Sequence, residues 1–113
     1  TMKFIKQKIN EGKKIYLYGA STKGNTVLQY YGLNYKYIPF GAERSPEKWG
    51  KYTIGTGIKI ISEKMARDLN PDYFFVTPWG FIKEFIHREK KWLRDGGKFI
   101  VPFPKFRLIK HNG

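Results

Sequence analysis

The sequence predicts an α/β fold: a mainly parallel five-stranded sheet in strand order 3-2-1-4-5, with helices on both faces. Two stretches carry that prediction. Ile15-Tyr16-Leu17-Tyr18 is an apolar run closed by Gly19 and followed from Thr26 to Tyr31 by helix-compatible spacing. Strand, tight glycine turn and helix form the opening unit of a nucleotide-binding α/β domain. Tyr73-Phe74-Phe75-Val76 is apolar at every position, as expected of a central parallel strand covered on both sides. Strands are predicted near residues 14–18, 36–40, 58–61, 73–77 and 98–101, joined by right-handed crossovers.

Composition sets the frame for these elements. At 113 residues the chain has room for one core and not for two. A hydrophobic content of 41% with 18% aromatics marks a folded domain and not a disordered tail. No apolar run approaches the ~20 residues of a membrane-spanning helix, and no signal peptide is visible. The absence of cysteine excludes disulfides and thiolate metal sites and fits a cytoplasmic location. Thr1-Met2 reads as a cloning scar or a cut from a longer chain. The net charge of +13 admits nucleic acid, an anionic membrane surface or a phosphorylated small ligand as partner. The basic residues are dispersed, with no block of five or six like charges, no zinc finger and no aromatic RNA-binding motif, which argues against nucleic acid.

The elements follow in order. Residues 4–9 form a short amphipathic helix with Ile5 and Ile9 one turn apart, closed by Gly12. After the first strand and helix, Gly32 is placed to end the helix. Residues 35–40 read as the second strand, broken by Pro39, and residues 41–51 as a polar loop. Gly55 and Gly57 flank Thr56 in a turn-rich stretch before the third strand. A loop of that length is uncommon unless it binds something. Ser62 suits an N-cap with Glu63 in the first turn of a helix running to Leu69. Thr77-Pro78-Trp79-Gly80 falls where the central strand ends. Residues 81–93 read as one amphipathic helix with Phe81, Phe85, Ile86 and Leu93 facing inward. Glu84 and His87 make E-x-x-H, which seats a metal only when a second copy faces it, and the sequence has none. Asp95-Gly96-Gly97 turns the chain into the last strand.

The candidate site is the loop after the first strand. Gly19 and Gly24 occupy the first and third glycine positions of G-x-G-x-x-G, but Ser21 stands at the middle one. Free N–H groups at a helix start, the helix dipole and the hydroxyls of Ser21 and Thr22 would converge on an anion, with Lys23 adding a full charge. A solvated lysine beside a capped turn is the simpler alternative. Glu43 lies about 20 positions beyond the glycines, the distance at which an acidic residue bonds a ribose hydroxyl in dinucleotide folds. The cleft so predicted is walled by residues 43–48, Thr56 and the Pro78-Trp79 turn, all at carboxyl ends of strands.

With these residues in place, the chain resembles the C-terminal domain of bacterial S-adenosylmethionine-dependent C-methyltransferases, including those acting on nucleotide-linked deoxysugars. The matching features are Tyr18-Gly19-Ala20-Ser21-Thr22-Lys23-Gly24-Asn25-Thr26, then Arg44-Ser45-Pro46 with Lys48 and Gly50. Gly55-Thr56, Pro71-Asp72-Tyr73, Pro78-Trp79 and the stretch 97–104 follow in family order. The resemblance implies a Rossmann-like three-layer sandwich forming one domain, 1–113, of a longer methyltransferase. That domain would help to hold a nucleotide sugar, with methyl donor and catalytic base supplied by another domain of the same enzyme. It further implies that Gly19, Ala20, Ser21, Thr22, Lys23, Gly24, Asn25, Glu43, Arg44, Lys48, Thr56, Pro78 and Trp79 contact substrate. No catalytic residue and no metal are expected here, and S-adenosylmethionine is expected in the middle domain. The sequence departs from the family at Glu43, where aspartate is common, at Ile54 for proline and at Gly80 for asparagine. A free-standing nucleotide-binding module is the alternative reading, and a basic nucleic-acid-binding domain a third.

Overall fold

The computed structural model describes residues 2–19, 22–76, 82–102 and 105–111, with the backbone alone at 22–25. In chain order it contains α1 (Met2–Asn10), β1 (Ile15–Tyr18), α2 (Thr22–Tyr30), β2 (Phe40–Glu43) and a 3-10 turn at Pro46–Lys48. There follow β3 (Lys59–Ser62), α3 (Glu63–Asp68), β4 (Tyr73–Val76), α4 (Ile82–Arg88), α5 (Lys90–Arg94), β5 (Lys98–Val101) and β6 (Arg107–Ile109). The strands form one sheet in the order β3-β2-β1-β4-β5-β6. The first five run parallel, so the predicted order 3-2-1-4-5 is found. The sixth, antiparallel to β5, corrects the expected five: Phe99 pairs with Ile109 and Val101 with Arg107.

β1 is the spine of the sheet. All four of its residues are buried, and their alternation divides the core in two. Ile15 and Leu17 pack with Ile5 of α1 and Leu28 of α2 on one face. Tyr16 and Tyr18 pack with Ala66 of α3, Phe85 of α4 and Trp92 of α5 on the other. β4 repeats the division, with Tyr73 and Phe75 on the first side and Phe74 and Val76 on the second. Both strands are covered on both faces, which explains their unbroken apolar runs. At their amino ends the Lys14 backbone N–H donates to Asp72 Oδ2 at 2.8 Å, and the Lys14 carbonyl accepts from Asp72 and Tyr73. Among the described residues no helix is long and apolar enough to cross a membrane.

Three predicted boundaries move for physical reasons. Residues 35–40 are not the second strand: 35–37 form a turn, and β2 begins at Phe40. Asn34 captures that segment, its side chain accepting from Lys36 N–H and its carbonyl from Tyr37 and Ile38 N–H. Pro39 has no N–H to offer a ladder, so pairing starts after it, through the poor strand formers Gly41 and Ala42 held between β1 and β3. The predicted helix over 81–93 is two helices with Glu89 at the junction, and residue 81 lies outside the described residues. Ser62 is the N-cap expected, its hydroxyl accepting from Met65 N–H at 3.0 Å. The helix it caps ends at Asp68, with Leu69 as C-cap.

One glycine is set by packing. The Gly97 N–H donates to the Trp92 carbonyl at 3.0 Å, and a Cβ at 97 would fall within the Trp92 indole. That ring cannot swing away, because its Nε1 donates to the Pro71 carbonyl at 2.9 Å and it packs on Phe74 and Phe99. Gly97→Ala is therefore expected to destabilise the domain by about 1–3 kcal/mol, the range for overpacking a core. A thermal melt within a degree of wild type would show that the indole has room to move.

Candidate functional site

The carboxyl ends of β1, β2, β3 and β4 share one edge of the sheet. The chain leaves β1 through Gly19, whose φ of 77° is open to glycine and strained for other residues. Its N–H donates to the Ala42 carbonyl at 2.9 Å, tying the turn to the end of β2. α2 then begins at Thr22, so the backbone of 22–25 lies in its first turn, where helical N–H groups have no partner within the helix. Ala20, Ser21, Pro78 and Trp79, and the side chains of Thr22, Lys23, Gly24 and Asn25, lie outside the described residues.

Glu43 is the last residue of β2, not part of the polar loop after it. Its Oε1 accepts from the backbone N–H of Arg44 at 3.0 Å and of Ser45 at 3.2 Å, while Oε2 lies 3.8 Å from Lys48 Nζ. Its carbonyl accepts from Trp49 Nε1 at 2.7 Å. Glu43, Arg44 and Lys48 are thus brought together beside the β1 turn. Thr56 is not. It precedes β3, with its hydroxyl on Thr53 and its carbonyl accepting from Tyr35 N–H at 2.8 Å. Thr56 therefore stands at the amino end of the sheet, opposite to the wall the sequence assigned it. The reason is the path of the chain: Tyr52 bridges antiparallel to Lys59, so residues 50–57 run back along the outer edge of β3 before entering it.

Behind this edge lies a buried ionic cluster that sequence reasoning missed. Glu89 is 1% exposed. Its Oε2 accepts from Tyr18 Oη at 2.7 Å and from Arg67 Nη1 at 2.6 Å, and its Oε1 has no hydrogen-bond partner. Arg88 donates through Nε to Tyr18 Oη at 3.2 Å and through Nη2 to Glu63 Oε2 at 2.7 Å. Glu84 closes the chain on the surface, 3.1 Å from Arg88 Nη1 and 3.5 Å from Arg44 Nη1. The signal was present in the pattern. Glu89 is spaced i+4 from Phe85 and i−4 from Leu93, on the inward stripe of the predicted helix, where a carboxylate demands partners. Burial first, then the hydrogen bond to Glu89 and the charges of Glu89 and Glu63, hold the Tyr18 phenol far above its ordinary value of 10.0.

Glu84 of the E-x-x-H motif is thus occupied by arginines. Among the described residues no group of three or more His, Asp or Glu is placed to hold a metal.

A glycine turn and a helix start after β1, with Arg44 and Lys48 in the loop after the adjacent β2, all at the carboxyl edge of a parallel sheet, define an α/β domain of the kind in which ligands bind at that edge. The chain matches the C-methyltransferase C-terminal domain family over residues 1–104, and it belongs to that family. It is similar to a C-methyltransferase, NovU, of Streptomyces niveus, at 39% identity over 101 residues, 89% of this chain and 24% of that protein. The chain thus spans about a quarter of that relative's length.

Two outcomes follow from the cluster. Glu89→Ala leaves Arg67 and Tyr18 facing a void and is expected to cost about 3–5 kcal/mol in a urea melt, with Glu89→Gln costing less. A loss under 1 kcal/mol for the alanine variant would mean that water takes the place of the carboxylate. The second concerns alkaline pH. Above 10.0 an unfolded Tyr18 releases a proton that the folded chain keeps. Stability contributed by the held proton is complete below that pH and falls as pH rises above it. Tyr18→Phe should flatten the decline of unfolding free energy above pH ~10, leaving the part due to Tyr16, whose pKa burial also raises. An unchanged slope would show that Tyr18 ionises normally.

Proposed function

We propose that this domain holds the phosphorylated, nucleotide-linked sugar substrate of a C-methyltransferase and carries no methyl-transfer chemistry of its own. The observation that carries the reading is the opening of α2 at the carboxyl end of β1, three residues past Gly19, whose N–H is tied to the end of β2 just before Arg44 and Lys48. β1 lies between β2 and β4, at the point where the strand order reverses, the position at which open α/β sheets bind ligands. On this reading the domain is Rossmann-like, a cytoplasmic piece of a larger enzyme. S-adenosylmethionine and the catalytic base would belong to residues outside this chain.

The carboxylates at this edge support placing the chemistry elsewhere. Glu43 faces Lys48, Glu84 faces Arg44 and Arg88, and Glu63 faces Arg88 and Arg67. Each of these carboxylates is engaged by a cation of the protein itself, which ties its oxygens to the fold. The same pairing suits a site for an anion, since no uncompensated negative charge among these groups repels it.

Lys23→Ala tests the reading. Nucleoside diphosphates and nucleotide sugars are titrated into the wild-type chain and the variant by calorimetry at two salt concentrations. Loss of the lysine is expected to weaken binding by about 1–3 kcal/mol with little change in stability, because a point charge leaves the anion. Absence of wild-type binding at millimolar ligand, or equal affinity of the variant, would refute the cradle.

A further inference from the structure

We propose that Trp49 is the platform on which the nucleobase of the bound nucleotide stacks, a specificity-determining residue that the motif in the β1 loop does not contain. The proposal rests on the reading of the domain as a nucleotide-sugar binder and extends it from the phosphates to the base. Trp49 follows the 3-10 turn after β2 and is 43% exposed. An exposed tryptophan ring is normally free to reorient, but this one is tied by its indole N–H and stands on a backbone that is itself pinned. Its indole N–H donates to the Glu43 carbonyl at 2.7 Å. Its backbone N–H donates to the Pro46 carbonyl at 3.1 Å, and the next residue, Gly50, donates to the Ile60 carbonyl at 2.8 Å. The only polar atom of the ring is therefore satisfied within the protein, and what the side chain offers to solvent is apolar aromatic carbon. A fixed, exposed aromatic surface beside cationic side chains is the arrangement on which bases stack.

The position relative to the phosphate loop fits one ligand. Adjacent peptide carbonyls at the end of β2 anchor the two features: Ala42 accepts from Gly19 on the β1 side, and Glu43 accepts from Trp49. Successive carbonyls of a strand point to opposite neighbours, so loop and indole flank the end of β2. With strands about 4.8 Å apart, the two donors, Gly19 N–H and Trp49 Nε1 on opposite sides of β2, are separated by about 10 Å, a span for a ribose between diphosphate and base. Lys48 and Arg44 stand on the same loop, available to the ribose-proximal phosphate.

The experiment uses the 113-residue chain with inorganic pyrophosphate, which has no base, beside uridine and thymidine 5′-diphosphates. Wild type is expected to bind the nucleotides more tightly than pyrophosphate. Trp49→Leu should weaken the nucleotides by roughly tenfold, the lower part of the range for one stacked base, and leave pyrophosphate unchanged. Trp49→Tyr should recover most of the loss, because a tyrosine ring also stacks. Quenching of tryptophan fluorescence by nucleotide should diminish in Trp49→Tyr. Equal weakening of pyrophosphate and nucleotides in Trp49→Leu would overturn the proposal, showing that Trp49 only shapes the loop. So would nucleotides that bind wild type no better than pyrophosphate. Wild type that binds pyrophosphate but fails these base-dependent arms sinks only the stacking. Wild type that binds none of the three sinks the substrate-binding reading together with it.

Discussion

Burying Glu89 takes a carboxylate out of water, a step that costs several kcal/mol unless partners replace the lost hydration. Arg67 and Tyr18 replace it at one oxygen, at 2.6 and 2.7 Å. The consequences run outward from that point. Glu89 stands between α4 and α5, with hydrogen bonds continuing from Glu89 to Phe85 and from Leu93 to Glu89. Arg67 and Arg88 draw in Glu63, which fastens α3 to α4. Tyr18, fixed by its hydroxyl and by ring contacts with Phe74 and Phe85 at 4.8 Å, sets the end of β1 from which the candidate loop departs. The loop thus leaves a rigid point.

The same cluster governs where the surplus charge of the domain acts. Lys and Arg number 22 against 9 Asp and Glu. Four of those nine acids, Glu43, Glu63, Glu84 and Glu89, are paired with basic residues at or behind the carboxyl edge. The arginines of the cluster are correspondingly committed, Arg88 to Glu63 and Glu84 and Arg67 to Glu89. They are structural cations, and they do not compete for a ligand. Arg44 and Lys48 differ, because their pairings are at 3.5 and 3.8 Å and on exposed side chains. Such surface pairs contribute about 0–1 kcal/mol and are readily exchanged for another anion.

How much of this was legible follows from how local each cause is. The order of the parallel strands was, because β1 and β4 are buried on both faces and announce themselves as unbroken apolar runs. The Ser62 cap was, because a hydroxyl and a backbone N–H three residues on need no distant partner. β2 was not: Gly41 and Ala42 have no intrinsic preference for a strand and take the conformation from neighbours far along the chain. β6 was missed because three residues, Arg107–Ile109, hold no period to read. At the site, the sequence placed Arg44 and Lys48 in the loop after β2, yet put Glu43 there too, although it ends the strand, and assigned Thr56 to the wrong end of the sheet. That error came from counting the turn before β3 as if it followed a strand. The Glu89 cluster joins residues 71 positions apart, and only the misplaced carboxylate on an apolar stripe hinted at it.

A charge of +13 spread over the surface and a glycine loop with a helix start behind it are different kinds of anion attractor. At physiological salt the Debye length is about 8 Å, so dispersed lysines raise the local concentration of any anion without choosing among them. Backbone N–H groups at the start of α2 act at hydrogen-bond distance, where screening is weak and geometry decides. The proposed stacking on the exposed Trp49 ring would add a contact that carries no charge at all. On the proposed reading, selectivity would come from the short-range elements arranged around the end of β2. The diffuse field can speed encounter, but it cannot tell a nucleotide from another polyanion. The rigidity supplied by Tyr18 and Glu89 matters for that reason: a loop displaced by an ångström would keep the field and lose the geometry.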